Sequence, residues 1–338
     1  MTLKEVAERA QVAISTVSAV INNSAPVSER TRQRVLKAIK ALNYRPNRLA
    51  RSLKTKQSFS VGVIVPDLTN PFFPEVVRGI ESVARQHAYN IILCDTDEKQ
   101  ATGVASLNLL IEKQVDGVIL VGGVIPKANI LSLGDNVLPI VMIEKDYDIP
   151  WISIVMVDAK KGAYDSVNHL INLGHRRISF ITERLPRSKI QRRFEGYKLA
   201  LKHNGIAFDS LLVKEVSPTF EGGYKAMNSL LSMEEPPDAV FAYNDLMAIG
   251  ALKSIHAIGL KVPNDIAVVG FDDIQAASFT SPPLTTVALP KHEMGVKAMQ
   301  LILELISGKG KHKKILLPTK LVVRESCGQK KASSTDSQ

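Results

Sequence analysis

Cysteine is nearly missing from this chain: Cys94 and Cys327 are its only two. That excludes a disulfide framework and places the chain in a reducing compartment, the cytoplasm. Long apolar runs are missing as well. The longest, residues 115–126, is interrupted by glycines and an aspartate and falls short of the roughly 18 apolar residues of a membrane span, so no membrane partner is expected. The opening Met-Thr-Leu-Lys-Glu leads into an amphipathic helix and not into the apolar region of a signal peptide. Acidic residues are scarce in one region. Residues 1–58 hold three (Glu5, Glu8 and Glu29) against 12 Lys or Arg, a local charge of +9 out of +10 overall. Residues 59–338 are close to neutral, with 31 basic and 30 acidic side chains. A strongly basic head on a neutral body points to a module that binds a polyanion joined to one that reads another signal. Duplex nucleic acid is the first candidate, because counterion release rewards clustered Lys and Arg.

Chemistry-bearing motifs of other kinds are also lacking. No metal-ligand spacing and no nucleophile elbow occurs. The glycines of residues 221–223, 117 and 122–123 make neither a phosphate loop nor a dinucleotide fingerprint. The expectation is therefore a chain that is not an enzyme and carries no cofactor or metal. At 338 residues it is long enough for two or three domains.

What is present begins at Thr2, which precedes a short periodic stretch with Leu3, Val6, Ala7 and Ala10 on one face. A turn at residues 11–13 leads to a second short helix, residues 14–22. Its Val17, Val20 and Ile21 point inward, leaving Ile14, Ser15, Ser18, Ala19 and Asn22 outward. Two short helices, a tight turn and a polar outer face on the second make the helix-turn-helix pattern. Ser28 then caps a longer helix to about residue 43 that closes a three-helix core with Val35, Ala38, Ile39 and Leu42. Any small helical bundle shows such periodicities; the local charge is what favours DNA.

Past residue 58, β-rich runs alternate with helical stretches. Strands are expected at 59–65, 90–94, 117–121, 140–143 and 152–157, with helices at 74–87, 102–112 and 126–133. A second series places strands at 178–182, 211–216, 239–242 and 266–270, with helices at 191–204, 221–232 and 245–258. A further helix is expected at 290–306. Such alternation predicts parallel sheets with helices on both faces, here in two doubly wound lobes. Ligands of such folds bind beyond the carboxyl ends of the strands. Asp67, Asn70, Phe72 and Phe73 follow one strand, Asn244 another, and Asp272 a third. Carboxylates and amides that chelate hydroxyl pairs, with rings to cover C–H faces, suit a sugar. The alternative for each Asp or Asn is a helix cap.

Three stretches together carry a resemblance: TLKEVAERAQVAISTVSAVIN, then VSERTRQRV with LNYRPNRLARSLK, then VGVIVPDLTNPFF. In this order and spacing they resemble the LacI/GalR family of bacterial transcription regulators, over nearly the whole chain. The resemblance implies a helix-turn-helix domain at residues 1–45 and a hinge helix and linker at 46–58. It implies a type I periplasmic-binding-like effector and dimerisation body at 59–326. The N-lobe would comprise residues 59–158 and 289–317, the C-lobe 159–288 and 318–326, and residues 327–338 a disordered tail. It also implies a homodimer on palindromic operator DNA, a repressor under allosteric control by a small effector, a sugar first. A nucleoside or purine, or a phosphocarrier protein, is the alternative effector. A sugar-transport protein and a carbohydrate-processing enzyme are the rival classes.

Residue by residue, the resemblance implies DNA contacts from Thr2, Ile14, Ser15, Thr16, Ser18, Ala19, Asn22, Ser28 and Thr31. In the hinge it adds Asn47, Arg48, Arg51, Leu53 and Lys54, with Leu53 wedged into the minor groove to kink a flexible step. Effector contacts fall to Asp67, Asn70, Phe72, Phe73, Arg193, Phe220, Asn244 and Asp272; His175 is read as structural. The chain departs from the pattern at Ala13, where a serine normally caps the recognition helix, and at Gln11, where Gly or Asn makes the turn. Ala19 replaces an Arg or His, and Pro218 an aromatic ring. The first departure removes a cap and the second strains the backbone. The third shifts readout toward apolar and minor-groove contacts.

Overall fold

The computed structural model describes residues 2–22, 24–44, 57–123, 125–134, 138–183 and 192–328. It divides into two units, Met1–Phe59 and Ser60–Gln338.

The small unit holds three helices, α1 (Leu3–Ala10), α2 (Ile14–Asn22) and α3 (Glu29–Ala41). Thr2 starts α1 with a capping box: its hydroxyl accepts from Glu5 N, and Glu5 accepts from Thr2 N at 3.1 Å. Gln11 ends α1 in the left-handed region at φ 50°, a conformation that disfavours a side chain with a Cβ. Ala13 takes the first bonds of α2 on its carbonyl, from Thr16 N and Val17 N, and its methyl side chain offers no oxygen to the remaining amides. Both departures noted in the sequence thus have a structural counterpart. Val6, Ala7, Ala10, Val17, Val20, Val35, Ala38 and Tyr44 form the buried core, with Ile39 and Leu42 packed against it.

The large unit is built on parallel sheets, as the alternation predicts. The first sheet uses β1 (Ser60–Val65), β2 (Asn90–Asp95), β3 (Gly117–Val121), β4 (Ile140–Ile143) and β5 (Ser153–Val157). The second uses β6 (Ile178–Glu183), β7 (Val213–Val216), β8 (Ala239–Ala242) and β9 (Ala267–Val269), in the order β7-β6-β8-β9. Three short strands were not expected: β10 (Thr286–Ala288), β11 (Lys314–Leu317) and β12 (Lys320–Val322). Strand β11 joins the first sheet beside β5, giving β11-β5-β4-β3-β1-β2, while β10 and β12 pair antiparallel. These runs are three or four residues long and open on buried Thr286 or on exposed Lys314 and Lys320, so they show no continuous apolar signature.

The α4 helix (Phe72–Gln86) follows β1 and α5 (Gln100–Glu112) follows β2; α6 (Lys127–Leu131) is shorter than expected. Helix α7 (Ala159–Asn172) was missed. Its inward stripe is broken by Gly162 and by buried Ser166, whose hydroxyl is satisfied by Gly162 O at 2.9 Å, so sequence periodicity is blurred although Asp158 caps it on Lys161 N. The second sheet carries α8 (Arg192–His203), α9 (Phe220–Leu231) and α10 (Asp245–Ala257). Helix α11 (Lys291–Ile306) returns to pack on α4, where Gly79 and Gly295 meet: a Cβ on either would collide with the other helix's backbone. Cys327, expected in the tail, is instead buried against His169 and Thr285. The remainder of that tail, residues 329–338, lies outside the described residues.

Candidate nucleic-acid interface and effector cleft

In the small unit the outer face of α2 begins with Ile14, 47% exposed, and Ser15, also exposed; Thr16, Ser18 and Ala19 are half-buried. The side chain of Asn22 lies outside the described residues, as do Asn47, Arg48, Arg51, Leu53 and Lys54. Ser28 caps α3 by accepting from Thr31 N and donates its own proton to Thr31 Oγ1 at 2.9 Å. Ser15, Thr16, Ala19, Ser28, Thr31 and Arg34 line one open concavity between α2 and α3. Hydroxyls, the first amides of a capped helix and a guanidinium there suit a phosphate. Arg34 was overlooked, although it stands three residues after Thr31 on the same helix face. Thr2 sits apart from this groove, and its side chain is engaged in the cap of α1.

In the large unit the strand-end rule gathers two groups. The first follows β1. Asp67 accepts from Thr69 N at 2.7 Å, and Asn70 Oδ1 accepts from Phe72 N at 3.0 Å to start α4. Phe72 is buried, and its ring meets Phe73 edge-on at 5.1 Å. The Asp67 and Asn70 oxygens thus close local turns ahead of α4, whose N-cap position is Pro71, without a side-chain cap bond.

The second group is ionic. Arg193, on α8, is 8% exposed and Asp272, after β9, is 5% exposed; Arg193 Nη2 donates to Asp272 Oδ1 at 3.2 Å. A second guanidinium nitrogen, Nη1, donates to Tyr243 O. The guanidinium is sandwiched by the Phe271 ring at 3.9 Å and the Tyr243 ring at 4.3 Å. A buried charge must be paired and hydrogen-bonded, and this one is both. Asn244 caps α10 through Met247 N at 2.9 Å and donates to Pro218 O at 3.1 Å. That bond ties the Pro218 loop to the site. Phe220, two residues on, leaves its ring 47% exposed at the start of α9.

Three contributors escaped the sequence reading. Glu144 follows β4, so the same strand-end rule points to it; burial raises its carboxyl, and the Arg193 charge opposes the rise. Asp245, buried beside Asp272, accepts from Thr286 Oγ1 at 2.5 Å and from Ile274 N at 2.8 Å. Burial and the Asp272 charge push it up to about 8. Lys291, 5% exposed, donates to the carbonyls of Asp272 and Asp273 at 2.6 and 2.7 Å and lies 3.6 Å from Glu75 of α4. Nothing in its spacing announces this. Asp272 and Asp273 both have positive φ, 108° and 52°, a strained pair that costs of order 1–3 kcal/mol per residue. Lys291 and the Arg324–Asp273 ion pair at 2.7 Å hold it. Burial raises the Asp272 carboxyl to about 6, with Arg193 and Lys291 opposing.

His175 lies 3.6 Å from Asp238, a carboxylate that also accepts from the amides of Arg176 and Arg177. Among the described residues no cluster of His, Cys, Asp and Glu could hold a metal, and no helix is long and apolar enough to cross a membrane.

Residues 2–47 match the model of bacterial regulatory proteins of the lacI family, and residues 167–327 match that of a periplasmic binding protein-like domain. The HTH-type transcriptional repressor CytR of Escherichia coli (strain K12) is 38% identical over 307 residues, 91% of this chain and 90% of the relative. The ribose operon repressor of Haemophilus influenzae (strain ATCC 51907 / DSM 11121 / KW20 / Rd) is 36% identical, covering 96% of this chain and 98% of its own. Among solved structures, the lac repressor dimer bound to operator and the anti-inducer ONPF aligns with a TM-score of 0.86. It is 29% identical and spans 97% of this chain and 99% of that one. The chain belongs to the LacI family of bacterial regulatory proteins.

Proposed function

We propose that this protein is a homodimeric repressor that grips palindromic operator DNA and is controlled by a small sugar held in the cleft. It works in the cytoplasm, where the chromosome lies. The observation that carries the sugar reading is the buried Arg193–Asp272 pair between the rings of Tyr243 and Phe271. Such a pair presents fixed donors and acceptors to adjacent hydroxyls in a dry site. Phe271, fully buried, backs the guanidinium, and the half-buried Tyr243 ring offers apolar surface to the C–H side of a sugar. Family membership and the +9 charge of residues 1–58 support the DNA half. One short recognition helix reads only a half-site, so two copies are needed for a palindrome. The relatives above are named as repressors, which disfavours the enzyme and transport readings.

Binding and release are linked: the factor by which sugar changes operator affinity equals the factor by which operator changes sugar affinity. The test is a thermal-shift panel on the full chain with ribose, other pentoses, hexoses, cytidine and purine bases. It is paired with mobility shift on the upstream region of the protein's own gene. A ligand at 100 times its dissociation constant stabilises by about 2.7 kcal/mol. A shift with a sugar, coupled to altered DNA retention, is the expected result. A shift only with a nucleoside or base would replace the sugar, and no DNA retention at any salt would remove the repressor.

A further inference from the structure

Helix α2 reads Ile-Ser-Thr-Val-Ser-Ala-Val-Ile-Asn and contains no Arg, Lys, Gln, Glu or Asp. In a helix-turn-helix unit the N-terminal residues of this helix reach the base edges. The major-groove code is chemical: guanine O6 and N7 call for the forked donors of Arg or for Lys, and the thymine C5 methyl calls for an apolar partner. At the leading end of α2 the exposed side chains are Ala13, Ile14 and Ser15. Ile14 takes no part in the buried core, which is supplied from this helix by Val17 and Val20. Ala19 stands half-buried on the outer face, one turn beyond Ser15. The hydrophilic groups beside it, Thr16, Ser28, Thr31 and Arg34, form the concavity suited to phosphate, and phosphate contacts fix register without reading sequence. An isoleucine half-exposed at the reading end of a helix, in a unit of charge +9, thus has one complementary surface in duplex DNA: a methyl group.

We propose that Ile14 is a specificity-determining residue that packs on the C5 methyl of a thymine in each operator half-site, and that helix α2 reads no guanine through O6 and N7. This deepens the operator-binding reading above and rests on it. Burying one methyl group is worth about 4-fold in affinity, so a palindrome with both contacts gains about 15-fold.

The experiment uses the full chain. Duplexes retained from a random pool define the operator, and each thymine is then replaced symmetrically by deoxyuridine, which keeps every hydrogen-bonding group and removes only the methyl. One thymine position per half-site should lose about 15-fold in affinity with the wild-type protein. With Ile14→Ala the same replacement should cost less than 2-fold, while salt-dependent binding to random DNA persists. Because Ile14 lies outside the core, the variant should fold; should it not, the deoxyuridine scan on the wild-type chain decides alone. Uracil duplexes that all bind within 2-fold of the thymine operator overturn the assignment. So does a loss confined to 7-deazaguanine substitutions. A pool from which no duplex is retained instead rejects the operator-binding reading itself, and the inference falls with it.

Discussion

The two units of this protein solve the problem of charge in opposite ways. Among the described residues of the small unit, Lys4, Arg9, Arg30, Arg34, Lys37 and Lys40 are exposed, as are Ile14 and Ser15, the side chains proposed to meet DNA. The large unit sinks its charges: Arg193, Asp272, Asp245 and Lys291 are all less than 9% exposed, and each is held by named partners. The first arrangement draws in a polyanion from a distance and is screened by salt. The second is sheltered from salt, but desolvation raises its carboxyl groups, so it responds to pH and loses stability as protons leave. Salt and pH therefore separate the two functions of the chain.

The largest effect that separates them concerns ionic strength. Raising salt from 50 to 200 mM should weaken operator binding about a thousand-fold if six or more phosphates are contacted. Sugar binding, followed by calorimetry over the same range, should barely move. A comparable salt slope for both would erase the contrast.

Next comes Asp272→Ala, which leaves Arg193 buried without its counterion, a loss of about 3–5 kcal/mol. The sugar response should vanish while the operator is still retained on a gel. Asp272→Asn, which keeps the shape, should lose the response at a smaller cost in stability. Retained responsiveness in both variants would move the pocket elsewhere.

The pH dependence is smaller. Asp245 and Asp272 are raised to about 8 and about 6, above the unfolded range near 4. Between those limits the native state holds more protons than the unfolded chain, so stability falls as pH rises from about 4 to 8. The slope is up to about 1.4 kcal/mol per pH unit for each proton held. Urea unfolding at pH 5, 6.5 and 8 should show the decline, and Asp245→Asn, fixed in the neutral shape, should flatten its upper part. An unchanged slope in that variant would clear Asp245 of the effect.

The smallest change sharpens the comparison from the other side. Ala13→Ser supplies the missing N-cap of α2 and should stabilise the small unit by about 1 kcal/mol. It should leave the melting of the large unit and its pH response unchanged, as amide exchange on each unit would report.

Much of the fold was legible in local pattern. The five strands of the first series and the four of the second were placed to within a few residues, mostly because buried parallel strands are short unbroken apolar runs; β2 and β7, at the sheet edges, are half-exposed. Helix α7 was not, since Gly162 and Ser166 occupy its inward face. Strand β11 was not either, because it pairs with a strand some 160 residues earlier in the chain, and no local pattern encodes a distant partner. For the proposed effector site the strand-end rule reached Asp67, Asn70, Asn244 and Asp272. Applied to β4 it also reaches Glu144. No rule of spacing reaches Lys291, whose amine finds two carbonyls 18 and 19 residues away.

By itself the sequence determined the partition of charge between head and body, the helix-turn-helix, the alternating α/β body and the family. The first three follow from composition and short-range periodicity, and the family from the resemblance carried by three stretches of sequence. Tertiary structure alone decided which strand-end carboxylates share a proton-sensitive, buried environment, that Arg193 lies between two rings, and that Lys291 holds a left-handed pair of aspartates. The reason is physical: burial and the interaction of charges depend on distances through space, and those exist only once the sheets and helices have packed.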